Sequence, residues 1–249
     1  MTKLIYLGCL SKEKYQDTCI NAIKIIQKLD PEYKEIDDAP CCGSLLFHTS
    51  TEEEIKNHVQ KVHNWFNSNE VSDIITICAG CYRYLTTEHK EYFPEFDINI
   101  EHFVEYIAQP ENLEKLDLKY EEGKKLVVTY HDPCHLKSVK PKIIEEPRKI
   151  LESVKGSLVF KEMDPNPILS LCCGAGGGVY SSFKENSAVN SPIIFENAKK
   201  SRAKLLLTSC PFCFTALKKA KEENSKIRMD VMKYEDFIMK LIEGVDPLA

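Results

Sequence analysis

The sequence predicts an α/β protein made of two tandem, duplicated Rossmann-like domains, each on a parallel sheet, related by pseudo-twofold symmetry. Three observations carry that expectation. The chain has 249 residues, and at roughly 150 residues per domain this length fits two small domains or one large one. Apolar runs alternate with amphipathic stretches in β-α-β order, the pattern of parallel strands joined by helical crossovers. Ten of the 11 cysteines also fall into two sets of five, spaced C-x31-CC-x35-C-x2-C and C-x37-CC-x36-C-x2-C, so that matching positions differ by 125, 131, 131, 132 and 132. Agreement at five positions in order is the mark of an internal repeat.

The elements follow in turn. Lys3 to Leu7 is a short apolar strand ending at Gly8-Cys9, Tyr33 to Ile36 is a weaker strand before Cys41-Cys42, Asp73 to Ile77 ends at Cys78, and Ile98 to Ile100 is a fourth. Helices are expected between them over roughly 12–29, 52–67 and 81–92. In the second half, Lys125 to Tyr130 leads to Cys134, Leu158 to Met163 precedes Cys172-Cys173, and Lys204 to Thr208 leads to Cys210. Helices are expected near 142–154, 188–201, 212–223 and 234–243. The domains are therefore placed at 1–110 and 125–249, with the charged, Gly123-containing stretch 111–124 as linker. The apolar stripe from Tyr234 to Ile242 and the similar His102–Ile107 read as one packing element used twice.

Composition narrows the function. Hydrophobic residues at 43% and charged residues at 29% are ordinary globular values, which exclude collagen-like and disordered chains. A net charge of -5 argues against a nucleic-acid partner. No cationic stretch followed by an apolar run opens the chain, and no apolar run is long enough to span a membrane. The expected location is the cytoplasm, where a cysteine-rich chain usually means metal ligation or redox chemistry rather than disulfides.

In open parallel sheets, ligand sites form beyond the carboxyl ends of the strands. Each cysteine set follows three successive strands, so its five sulfurs can meet at one sheet edge. Cys78-Ala79-Gly80-Cys81 and Cys210-Pro211-Phe212-Cys213 each start a helix, whose free N–H groups favour thiolates. Zinc and cubane iron–sulfur clusters take four protein ligands, so five sulfurs with a vicinal pair point to a larger or irregular cluster. The glycines after each pair, Gly43 and Gly174 with Gly176 to Gly178, let the backbone approach closely. The second run is not a dinucleotide-binding loop, because Val179 stands where G-x-G-x-x-G needs its last glycine and no strand immediately precedes it. Cys19 has no counterpart in the repeat and reads as a small core hydrophobe.

The doubled pattern with Cys-Cys-Gly pairs resembles the CCG-domain iron–sulfur proteins, best known from heterodisulfide reductase catalytic subunits. Tyr130-His131-Asp132-Pro133-Cys134-His135-Leu136 with Leu171-Cys172-Cys173-Gly174 is similar to the B/D-type catalytic subunits in particular. The resemblance spans nearly the whole chain. It implies a noncubane [4Fe–4S] cluster on Cys9, Cys41, Cys42, Cys78 and Cys81, and a second on Cys134, Cys172, Cys173, Cys210 and Cys213, with zinc or no cluster in the N-terminal set as the fallback. It further implies reduction or formation of a small disulfide lying between the clusters, each supplying one electron, in an anaerobic setting. No C-x2-C-x2-C-x3-C run of the ferredoxin type occurs here, so a separate ferredoxin-like [4Fe–4S] subunit is expected as electron partner, with a flavoprotein subunit beyond it.

Proton donors for such a reaction are sought at His131 and His135, which flank Cys134, and at His48. Lys137 and Lys140 are candidates for holding an anionic group; a solvated role is the alternative for both. Two other functional classes compete: an electron-transfer subunit of a hydroxy-acid or other dehydrogenase with no substrate site of its own, and a thioredoxin-like dithiol enzyme using either C-x-x-C. The dithiol reading leaves six matched cysteines unexplained.

Overall fold

All eight strands of the two main sheets run parallel. The computed structural model describes residues 1–120, 123, 125–165 and 167–249. In the first half β1 (Thr2–Tyr6), β2 (Tyr33–Lys34), β3 (Val71–Thr76) and β4 (Asn99–His102) form a sheet in the order β2-β1-β3-β4. In the second, β6 (Leu126–Tyr130), β8 (Leu158–Phe160), β9 (Leu205–Thr208) and β10 (Asp230–Lys233) take the order β10-β9-β6-β8. The edges correspond: β2 matches β8 and β4 matches β10, as a duplicated unit requires. Apolar runs lie at the sheet centres, where Ile74 and Ile75 of β3 and Leu205 to Leu207 of β9 are at most 1% exposed.

Several boundaries differ from expectation for identifiable reasons. The helix expected over 12–29 is two, Cys9–Lys14 and Gln16–Leu29, broken at Tyr15 (φ -133°, ψ 53°). The stretch 81–92 is helical throughout but passes through a π-turn at Tyr84–Glu88, a feature often found at functional sites. β8 stops at Phe160, three residues earlier than expected. Strand β10 has no sequence signal, since Asp230 and Lys233 put charges at both ends of a four-residue element. Within the segment expected to link the halves lie a helix, Pro110–Leu116, and a strand, β5 (Lys119–Tyr120), paired with β7 (Lys155–Gly156); residues 121, 122 and 124 fall outside the described residues. Glu52 to Glu54 open the helix Glu52–Ser68, where Thr51 and Glu54 form a reciprocal capping box.

The halves join by an exchange of helices. The C-x-x-C helix of the first half, Ala79–Arg83, packs on Cys134–Ser138 of the second, with Arg83 Nη1 donating to Ser138 Oγ at 3.1 Å. Reciprocally, Pro211–Glu223 packs on Cys9–Lys14. There Tyr15 lies edge-on to Phe214, and its hydroxyl is 2.6 Å from Thr215 Oγ1. Gln16–Leu29 meets Tyr234–Glu243, where Thr18 and Asn21 both donate to Asp236, at 2.8 and 2.9 Å. No helix among the described residues is long and apolar enough to cross a membrane.

Candidate metal centres

Each set of five thiols is gathered by its half as the repeat predicts. Gly8 (φ 77°) turns the chain out of β1 so that Cys9 opens a helix, and Cys78 and Cys210 are the N-cap residues of theirs. Cys9 Sγ is 3.6 Å from Cys41 Sγ, and thiol contacts continue from Cys41 to Cys42, to Cys81 and to Cys78. The second set repeats the path: Cys134 to Cys172 at 3.5 Å, then Cys173, Cys213 and Cys210. All are free thiols. Among the described residues no three Cys, His, Asp or Glu side chains converge as ligands of one metal ion; the sulfurs are strung along a path. Cys19 stands outside both sets, buried in the core, where desolvation raises its thiol to about 11.

Within each path one sulfur is the acceptor. Cys41 is held low by hydrogen bonds from the Cys42 and Cys9 thiols and from the Gly43 N–H at 3.4 Å. Cys172 is held low by Cys134, Cys173 and the Gly174 N–H, also at 3.4 Å. Cys78 is depressed by the Cys81 thiol and then by the Cys81 and Gly80 N–H groups at the start of its helix. The others are raised: Cys9 and Cys42 by Cys41, Cys134 and Cys173 by Cys172, each with burial adding to it. Protons shared between close sulfurs are those a metal displaces on binding, and N–H groups aimed at thiolates stabilise an anionic sulfur site. The donor set fits an iron–sulfur group in both halves.

Side chains that the sequence did not single out hold the vicinal pairs. His58 Nε2 donates to the Cys41 carbonyl and His89 Nε2 to the Cys42 carbonyl, both at 2.9 Å, while Asn190 Nδ2 donates to the Cys172 carbonyl at 3.1 Å. His58 and Asn190 are 132 residues apart, so aligning the two copies would have found them. Gly43 (φ 79°) is needed as glycine, since a Cβ there would lie 2.5 Å from the His58 ring.

The three candidate proton donors separate. His131 is fully buried, with neither ring nitrogen hydrogen-bonded, and desolvation followed by the Lys137 charge pulls it down to about 4. His135 and His48 instead line a common cavity of about 400 Å³ with Cys134, Cys172 and the Gly176–Gly178 turn. His48 comes from the first half, and its Nε2 lies 2.6 Å from the Tyr84 hydroxyl on the π-turn; Tyr84 also meets the His135 ring edge-on. Burial, then the Arg83 charge, lowers His135. Lys137 is already committed: its Nζ donates to Pro167 O, Ser170 O and Ser170 Oγ at 2.9, 2.8 and 2.6 Å, fixing the loop before Cys172 rather than facing a ligand. Lys140 is exposed and does not line the cavity.

Two parallel α/β halves, each closing on a five-cysteine path, define a duplicated cysteine-rich metal-binding class. The model of the CCG cysteine-rich domain matches residues 4–86 and 128–218, and the chain belongs to that family. It is 32% identical to an uncharacterized iron-sulfur protein of Methanocaldococcus jannaschii over 95% of this chain and 46% of that one. It is 29% identical to a subunit of the dihydromethanophenazine:CoB–CoM heterodisulfide reductase of Methanosarcina acetivorans over 84% of this chain and 51% of that one. The chain thus spans about half the length of these curated relatives. A crystal structure of a hypothetical protein from Helicobacter pylori shares the fold, with a TM-score of 0.67 at 11% identity over 99% of this chain and 50% of that one.

Proposed function

We propose that this chain is the iron–sulfur catalytic subunit of a heterodisulfide-reductase-like oxidoreductase, with one noncubane [4Fe–4S] cluster on each five-cysteine set. The observation that carries the reading is the cavity at the domain junction, where His48 and His135 meet Cys134 and Cys172. Its volume of about 400 Å³ suits a small molecule. When bound, the two clusters would supply the two electrons that convert R–S–S–R′ and two protons into R–SH and R′–SH. The chain's own part is to bind and to protonate. His135 faces the cavity, His48 is oriented by Tyr84, and the glycine turn leaves room for a sulfur substituent. The electrons come from a separate ferredoxin-like subunit, with a flavoprotein subunit behind it; relatives twice as long leave room for such a module within one chain.

The test is anaerobic purification with iron and acid-labile sulfide assays, then EPR of the oxidised protein before and after adding a thiol or disulfide. Iron and sulfide for two four-iron clusters, with a signal altered by thiol, is the expected result. Iron-free protein that remains active sinks the cluster reading. Full cluster content with no response to thiol or disulfide assigns the chain to electron transfer alone.

A further inference from the structure

The last strand of each half ends at an equivalent residue, 131 positions apart: His102 closes β4 and Lys233 closes β10, each just before the final helix of its half. Both are fully buried. They differ in charge. His102 Nδ1 accepts from Val104 N–H at 3.3 Å, and burial pushes its pKa down to about 3 against the backbone of Ser209, the neighbour of Cys210. The second cysteine set therefore has a neutral ring at this position.

Lys233 has a side-chain exposure of 0%, and its Nζ has no hydrogen-bond partner among the described residues. Glu235, also 0% exposed, is 4.0 Å away with both oxygens likewise unpartnered. The ring of Tyr15, from the first half, lies 5.3 Å from Nζ. An ammonium in a dry interior is costly unless anions or aromatic faces compensate it. One carboxylate beyond hydrogen-bond distance and one ring leave its donors unspent. Its field reaches into the first half, where it helps lower Cys78 after the Cys81 thiol and the two backbone N–H groups, and also bears on Cys19.

We propose that Lys233 is the buried counter-charge for the group held by the first cysteine set, lent across the domain boundary by the second half, and that it makes that group the easier of the two to reduce. The inference rests on the two-cluster reading above. Reduction adds one negative charge, and a fixed cation in a low-dielectric interior stabilises the reduced form more than the oxidised one. His102 offers the second set no such charge. One pair of equivalent positions thereby gives two equal sites an order of electron acceptance.

The experiment is an EPR-monitored redox titration of the full chain, anaerobically reconstituted, without substrate. In Lys233→Met one of the two midpoints falls and the other stays, with iron and sulfide unchanged; Lys233→Arg, which keeps the charge, holds both. Unmoved midpoints, or two midpoints moving together, overturn the inference while leaving the two-cluster reading intact. A wild-type chain with iron and sulfide for a single cluster sinks that reading on content alone. Should the lysine variants not fold, Glu235→Gln at pH above 8 removes the neighbouring anion and leaves the cation. The same midpoint then rises, and its failure to move also overturns the inference.

Discussion

Replacing Arg148 with methionine tests what holds Cys134 in place. Arg148 is clamped to Asp132, two residues before Cys134, by Nη1 to Oδ1 at 2.9 Å and Nη2 to Oδ2 at 2.8 Å, and to Glu162 by Nε at 2.6 Å and Nη2 at 3.0 Å. Side-chain exposures are 8% for Arg148, 3% for Asp132 and 37% for Glu162. Glu162 can turn to solvent, so its share of the loss is small. Asp132 cannot, and a buried carboxylate stripped of its partner costs about 3–5 kcal/mol. Against a total stability of about 5–15 kcal/mol this is a large fraction. At about 2–4 °C per kcal/mol for a chain of this size, it lowers the Tm by roughly 6–20 °C.

Thermal and urea unfolding followed by circular dichroism reads this directly, and the double variant Arg148→Met with Asp132→Asn reads the cause. Removing the stranded charge restores a large part of the loss. The pH dependence has a fixed sign. Burial already raises Asp132, with Arg148 pulling it back, so the single variant raises it further. The folded chain then takes up its proton at higher pH than the unfolded chain. The deficit is therefore full above the raised value and shrinks as pH falls toward the unfolded carboxylate near ~3.9. A loss under ~1 kcal/mol, where the structure demands the cost of an unpaired buried charge, refutes the reasoning, as does a double variant no more stable than the single one.

Cys173→Ser is expected to remove up to half of the iron and acid-labile sulfide, whereas Cys19→Ser, outside both sets, keeps the full content in the same assay. Gly178→Ala strains a residue at φ 79° whose Cβ would come 2.3 Å from Leu45 Cδ1; the exposed leucine can move, so the loss is that of a left-handed backbone, about 1–2 kcal/mol by urea unfolding. Glu105 and Glu235 are both raised to about 7 by burial. Because the folded chain then holds protons that the unfolded chain has lost, their contribution falls as pH rises from about 4.3 through 7, and urea midpoints at pH 5 and pH 8 compared with Glu105→Gln check it.

What is legible in the sequence is what the repeat writes twice. Cysteine spacing marks the ends of equivalent strands, so both five-thiol paths can be placed from spacing alone. Central strands such as Leu205–Thr208 are visible because burial on both faces leaves an unbroken apolar run. Strand β10 is not, since Asp230 and Lys233 read as surface and only the domain junction buries Lys233. The carbonyl clamps of His58 and His89 are equally hidden, because a histidine on an amphipathic helix carries no mark of its partner. The His48–Tyr84 pair depends on a π-turn, and propensity gives no warning of one residue of helical slip.

The cavity exists on one side of the junction because the two copies diverged at two positions. Gly80, in the first C-x-x-C, faces His135, and a Cβ there would lie 3.5 Å from its Nδ1. Their counterparts, by offsets of 132 and 125, are Phe212 and Leu10, two apolar side chains where the other side has a glycine and a histidine. A histidine can therefore reach the cavity wall only where the opposing helix has no side chain. Gly80→Ala puts a methyl at ordinary contact distance and is tolerated. Gly80→Leu fills the space and displaces the imidazole without altering any cysteine. The expected result is normal iron and sulfide in both variants, with the thiol-dependent EPR change kept in the alanine form and lost in the leucine form. If the leucine variant responds to thiol as the parent does, with full cluster content, the cavity beside Cys134 is not where the sulfur substrate binds.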